Sequence, residues 1–185
     1  MMGYFPMCVD IEGKKVYLVG QGEETEYKLK KLKLFSPEII RKDALTEEDF
    51  RERPALVVIG DTEVSAAKEM CGLCGEYSVP VNVVDVPALC TFVFPAIISE
   101  GDLTISVSSG GKIPAVTTYL RRKIEEQLPE ATEEIIAWLS EQRPLLRQEL
   151  PEDRWKKALR EMTAASMEAG RILSHDEVEK IKRGC

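Results

Sequence analysis

Histidine is almost missing from this chain. His175 is the single one among 185 residues, which removes histidine-rich metal sites and any mechanism that needs two imidazoles. Long apolar runs are missing too. No stretch approaches the ~18 uninterrupted apolar residues of a membrane span, and no basic region precedes an apolar one between Met1 and Asp10. Neither a membrane association nor a secretory leader is expected. Nor is there a surplus of cations: 25 Lys and Arg stand against 32 Asp and Glu, a net charge of −7. Duplex-binding proteins carry a basic footprint, so nucleic acid is not expected as a partner. The five cysteines are an odd count in a chain long enough for a full-sized core. That argues against a disulfide scaffold and for a reducing, cytoplasmic setting.

What is present is globular: 44% hydrophobic and 31% charged residues, neither disordered nor fibrous. Lys15 to Val19 predicts a strand running into Gly20-Gln21-Gly22, and the charged run Glu23 to Lys33 a helix. Ala55 to Ile59 predicts a buried strand, Glu63 to Tyr77 a helix, and Val79 to Val84 a third strand ending at Asp85. Near-continuous apolar strands alternating with helices are the mark of a parallel sheet covered on both faces. The expected fold class is α/β, with a Rossmann-like domain over 1–90. Thr91 to Ile98 is then apolar and broken by Pro95, and Asp102 to Ser108 alternates strictly, with Leu103, Ile105 and Val107 on one face. Alternation means a half-buried strand. This apolar surface predicts a dimerisation region over 91–128, and a C2 homodimer as its simplest cover. Beyond it the pattern is helical, with a C-terminal helical domain over 129–185: Ala115 to Leu128, Ala131 to Gln142, Pro151 to Ala169 and Asp176 to Arg183, punctuated by Pro129, Pro144 and Pro151. Ser174 is the expected N-cap of the last helix.

Four places can carry chemistry. Gly20-Gln21-Gly22-Glu23 lies between a strand and a helix, the setting of a dinucleotide turn, although Glu23 and Glu24 put negative charge where a phosphate would sit. It reads equally as a ligand-free strand-to-helix turn. Asp85 stands at a strand's carboxyl end, where open α/β sheets bind ligands, or else caps the turn before Pro87. Ser108-Ser109-Gly110-Gly111-Lys112 offers amides, hydroxyls and a cation to an anionic group, or is a glycine-rich turn. Cys71 and Cys74 form a lone C-x-x-C, without the spaced partners of a metal site, and read as helix cysteines facing a core.

In this order, Tyr4-Phe5-Pro6-Met7, Val19-Gly20-x-Gly22, Val81-Asn82-Val83-Val84-Asp85, Phe92-Val93-Phe94-Pro95-Ala96 and Gly101 to Lys112 followed by x-Pro114-Ala115 resemble the sirohaem synthase family, the bifunctional precorrin-2 dehydrogenases and sirohydrochlorin ferrochelatases. The resemblance runs from about Tyr4 to Pro129. It implies NAD-dependent oxidation of precorrin-2 to sirohydrochlorin, insertion of ferrous iron as a substrate in bifunctional members, and a homodimer built on the Phe92 to Ser109 region and the helices after it. It matches Asp85 to the family's key carboxylate, which would take pyrrole protons, and Ser109 to its serine. Ser108, Gly110, Gly111 and Lys112 are then substrate-binding, and Gly20, Gln21, Gly22, Glu23 and Asp61 cofactor-binding.

Three departures fall on the cofactor side. The family's three consecutive glycines are Gly20-Gln21-Gly22, followed by Glu23-Glu24-Thr25. The second strand reads as deleted between Phe35 and Glu38, and with it the acid that would hold a ribose. The strand that usually ends Ala-Ala-Thr ends Ile59-Gly60-Asp61. NAD affinity is therefore expected to be weak or absent. That leaves three readings: the NAD-dependent enzyme, a chelatase without NAD, and a non-catalytic tetrapyrrole-binding protein.

Overall fold

The computed structural model describes residues 3–185; Met1 and Met2, the start of the segment read for a leader, lie outside the described residues. The chain divides into two compact units, one running through Pro95 and taking in Ser108–Pro114, the other made of Ala96–Val107 and Ala115–Cys185.

The first unit is a four-stranded parallel sheet with helices. Its elements are β1 (Lys15–Val19), α1 (Glu23–Lys33), β2 (Glu38–Lys42), α2 (Glu47–Arg51), β3 (Leu56–Ile59), α3 (Val64–Glu76) and β4 (Val81–Val83). Strand order is β2-β1-β3-β4, with Val19 paired to Lys42 on one side and Ile59 on the other. β1 and β3 are runs of branched and aromatic residues because both faces are covered. Val16, Leu18 and Val58 pack with Leu29 and Leu32 of α1. Tyr17, Val19, Val57, Ile59, Val81 and Val83 pack with Ala67, Met70 and Cys74 of α3 and with Phe50 of α2. The buried Tyr17 hydroxyl keeps partners, donating to the Asp49 carbonyl at 3.0 Å and lying 2.9 Å from a Glu52 carboxylate oxygen.

Here one expectation is corrected. The second strand is not deleted: Glu38–Lys42 pairs along its whole length with β1. As an edge strand it leaves Glu38 and Arg41 exposed, so charged residues cost it little and its apolar content shrinks to Ile39 and Ile40. That is why the segment lacks the look of a buried strand.

In the second unit, β5 (Ala96–Glu100) and β6 (Leu103–Val107) form an antiparallel hairpin. The helices are α4 (Pro114–Glu125), α5 (Thr132–Glu149), α6 (Glu152–Ala169) and α7 (His175–Gly184). Pro144 lies inside α5 and does not end it. The ring removes one backbone donor, while Leu146, two residues on, is fully buried with Ala158, Met162, Leu173 and Val178 in a core that holds the helix together. Ser174 caps α7 as expected: its hydroxyl accepts from the Glu177 N–H, and the Glu177 carboxylate accepts the Ser174 N–H at 2.7 Å. Among the described residues no helix is long and apolar enough to cross a membrane.

Candidate functional site

The parallel sheet switches direction between β1 and β3, and the carboxyl ends of those strands form the crevice where ligands of such sheets bind. Gly20 (φ 80°) and Gly22 (φ 110°) both hold backbone conformations that favour glycine. A Cβ on Gly20 would lie 3.0 Å from the Asp61 carbonyl oxygen, so the turn and the end of β3 approach each other closely. The Gly60 N–H donates to Val19 O at 2.7 Å, and the Asp61 N–H reaches Gln21 O at 3.4 Å. Gly22 is the N-cap of α1 and supplies no side-chain cap. Thr25 is buried and donates its hydroxyl to Gln21 O at 3.1 Å.

A cavity of about 440 Å³ opens at this point, lined by Gln21, Gly22, Glu23, Glu24, Thr25, Gly60, Asp61, Thr62, Val84, Asp85 and Val86. Gln21, Gly22, Glu23, Asp61 and Asp85, named from sequence, thus meet at one place. The lining holds four carboxylates and no lysine or arginine.

Asp85 follows β4 in a left-handed conformation, φ 57°, which aspartate tolerates better than most side chains. It is exposed. Val84 extends the ladder by donating to Ile59 O at 2.8 Å, so the carboxylate sits on the first residue beyond the sheet. Under this turn lies Cys90, its sulfur 3.2 Å from both the N–H and the carbonyl of Val83. Asn82 is buried, donates to Phe92 O at 2.9 Å and accepts from Lys28 Nζ at 2.7 Å. Burial pushes Lys28 below the usual lysine range, against the opposing pull of Cys90, Glu24 and Asp85. Lys28 and Cys90 carry no motif in the sequence; only the folded contacts bring them beneath Asp85.

The Ser108 to Lys112 segment is a turn with Gly110 and Gly111 both at positive φ. Its hydroxyls already serve the backbone. Ser108 Oγ accepts from the Gly110 N–H and Ser109 Oγ from the Ile113 N–H, each at 3.1 Å, while the Lys112 N–H donates to Ser109 O at 3.3 Å. Each hydroxyl keeps its own proton for a ligand. None of these five residues lines the cavity that holds Asp85.

The shape fits a dinucleotide: a glycine turn that a Cβ would crowd, an uncapped helix start, and an open cavity beyond it. Gln21, Gly22 and Glu23 would offer amides to a pyrophosphate. Charge opposes that fit, since Glu23, Glu24 and Asp61 face the same space. The missing ribose acid is also corrected. Asp43 directly follows β2, about 20 residues after Gly20, where dinucleotide folds place that carboxylate. It was hidden from sequence reading with the strand that carries it. Cys71 and Cys74 lie on α3 with Cys74 fully buried. Burial pushes the Cys74 thiol up to about 12 and that of Cys71 in the same direction. Among the described residues no three His, Cys, Asp or Glu side chains gather to hold a metal.

Residues 7–96 match a protein family described as "Putative NAD(P)-binding". The chain is 33% identical over 156 residues to the siroheme synthase of Pseudomonas putida (strain W619), covering 74% of this chain and 34% of that protein. It is 28% identical over 197 residues to the siroheme synthase of Ruthia magnifica subsp. Calyptogena magnifica, covering 92% and 42%. The chain therefore spans between a third and a half of the length of these relatives. Its fold is that of a solved structure titled "SirC, precorrin-2 dehydrogenase", with a TM-score of 0.67 at 17% identity, covering 98% of each chain. Motifs and relatives agree on a likeness to the sirohaem synthase family over the part of its length that this chain spans.

Proposed function

We propose that this protein acts in sirohaem biosynthesis and oxidises the tetrapyrrole precorrin-2 to sirohydrochlorin with NAD. The observation that carries this reading is the placement of Asp85, an exposed carboxylate held at the end of β4 in the same cavity as the glycine turn of α1. The oxidation removes a hydride and a proton from the macrocycle. Hydride acceptance is the chemistry that bound NAD supplies. Asp85 takes the proton, a task a carboxylate performs without histidine. Gly20, Gln21, Gly22, Glu23 and Asp61 form the cofactor side. Ser108, Ser109, Gly110, Gly111 and Lys112 form the substrate side, with Lys112 and the two hydroxyl protons turned to the carboxylates of the tetrapyrrole. Asp85 and Ser109 act on one substrate molecule in this reading.

A second reading, ferrous iron insertion into sirohydrochlorin, is favoured by the four carboxylates and absent cations of the cavity wall. Two pyrrole protons leave as the ion enters, and Asp85 is again the base. The protein works as a homodimer in the cytoplasm, with 91–128 as the dimerisation region between a dinucleotide domain over 1–90 and a helical domain over 129–185. Ile113, Val116, Tyr119 and Leu120 are all exposed on or beside α4, an apolar surface of the kind a second copy covers.

Anaerobic spectroscopy tests both activities. Precorrin-2 with NAD and protein should give the sirohydrochlorin spectrum. Sirohydrochlorin with ferrous iron or cobalt then reads insertion. No conversion in the first mixture rejects the dehydrogenase; no acceleration in either leaves the non-catalytic, tetrapyrrole-binding reading.

A further inference from the structure

Cys90 fastens the turn that carries Asp85. Its sulfur accepts from the Val83 N–H at 3.2 Å and from the Asn82 amide at 3.6 Å. Its thiol proton is offered to Val83 O at 3.2 Å and to Val86 O at 3.5 Å, carbonyls on either side of Asp85. One thiol thus bridges the residues that flank the left-handed aspartate. A second thiol stands close by. Cys71 of α3 directs its sulfur at Leu89 O, 3.9 Å away, the carbonyl joined to the Cys90 nitrogen. Cys71, Leu89 and Cys90 pack, partly buried, against the same apolar core. The two thiols are near enough that charge on Cys90 helps to raise Cys71, after burial. Cys74 is fully buried one turn further along α3, and its thiol is pushed up to about 12. Lys28 holds the oxygen of the Asn82 amide whose nitrogen reaches Cys90. Amide donors and a nearby cation are the surroundings in which a cysteine sulfur attacks a peroxide.

We propose that Cys71 and Cys90 are a peroxide-sensitive pair, and that a disulfide between them unfastens the turn of Asp85. The Cys90 sulfur attacks hydrogen peroxide, the O–O bond breaks, and the thiol proton leaves in the water released, which makes Cys90 a sulfenic acid. The Cys71 sulfur then attacks that sulfur, the S–O bond breaks, a second water carries off the Cys71 proton, and the S–S bond forms. The two thiols give up two electrons and two protons, and the peroxide takes both. A disulfide sulfur has no proton to donate, so Val83 O and Val86 O lose the thiol that joined them. The bond itself follows from the cysteine geometry. Its effect on activity rests on the reading of Asp85 as the base.

The full chain, treated with hydrogen peroxide, alkylated and digested, tests this by mass spectrometry. Peptides holding Cys71 and Cys90 should appear joined, with the loss of two hydrogen atoms. Amide exchange over residues 83–90 should quicken about tenfold in the linked protein, the size expected when a hydrogen bond is lost. Precorrin-2 oxidation should fall about tenfold or more with it, and dithiothreitol should restore both. Cys71 lies outside the turn, so Cys71→Ser should fold and work as the natural chain does. In that variant the sulfenic acid has no partner, and dimedone should trap it on Cys90. Absence of the link between Cys71 and Cys90, a link between Cys71 and Cys74 in its place, or a linked protein whose turn exchanges as before would overturn the proposal. Neither the link nor the exchange needs the oxidation of precorrin-2, so a chain that shows both and fails to oxidise it defeats only the catalytic reading.

Discussion

Lys28 Nζ donates to Oδ1 of Asn82 at 2.7 Å, joining α1 to β4 just ahead of Asp85. Asn82 in turn holds Phe92 O at 2.9 Å, so one buried amide ties together three segments around the site. Asn82→Ala should lower stability by about 1–3 kcal/mol, since it leaves the half-buried ammonium and the Phe92 carbonyl without that partner. Urea unfolding reads the loss, and a midpoint equal to that of the natural chain would show the amide to be dispensable.

Asp85→Asn should leave the melting temperature in place and reduce precorrin-2 oxidation by about 10²–10⁴-fold. The amide keeps the shape and, like aspartate, accepts a left-handed backbone. Asp85→Val differs in a way that separates conformation from chemistry. A β-branched side chain at φ 57° should cost about 1–2 kcal/mol of stability as well as the activity. Full activity in Asp85→Asn would remove this carboxylate from the mechanism.

Glu23 and Glu24 occupy the first turn of α1, where an anion contact is worth about 0.3–1 kcal/mol. Replacing both by glutamine should tighten NAD binding about three- to thirty-fold. Titration of the double variant beside the natural chain measures it directly. An unchanged dissociation constant would mean that the pyrophosphate does not approach this turn.

The helical unit carries its own acid sensitivity. The Glu177 carboxylate is pulled down to about 2 from an ordinary 4.5, first by the Arg171 guanidinium and then by the Ser174 N–H and hydroxyl. A depressed folded value means that the unfolded chain binds the proton more readily. The contribution is thus complete above pH 4.5 and is lost as pH falls from there toward 2. Melting curves across that window should show the decline, and Glu177→Gln should flatten part of it. Identical slopes for the two proteins would remove Glu177 from the acid response.

Sedimentation at micromolar concentration should give a dimer, and Val116→Glu, on the exposed apolar side of α4, should shift it toward monomer. A monomer for the natural chain rejects the homodimer.

Much of this was legible in the sequence. β1 and β3 announce themselves through apolar runs and the glycines that end them, and Glu23–Lys33 is helical over the span its charge pattern predicts. β2 was not legible, because an edge strand facing solvent can carry Glu38, Arg41 and Lys42 without loss. Asp43 was lost with it. Pro144 misleads for the opposite reason: proline ends an isolated helix, whereas the tertiary contacts of Leu146 keep α5 intact through it. The Gly22–Asp85 cavity follows from strand ends and could be foreseen. Lys28 and Cys90 could not, since long-range contacts and no local pattern put them there.

Gly60 and Thr25 limit the substitutions that either position accepts. A Cβ built on Gly60 would lie 1.9 Å from Thr25 Oγ1, so the threonine in the first turn of α1 sits where it does because the residue after β3 has no side chain. The first turn of α1 and the end of β3 therefore cannot be changed independently of each other. Gly60→Ala alone closes the space, and adding Thr25→Ala relieves only part of the crowding, because the Cβ of residue 25 itself lies 3.0 Å away.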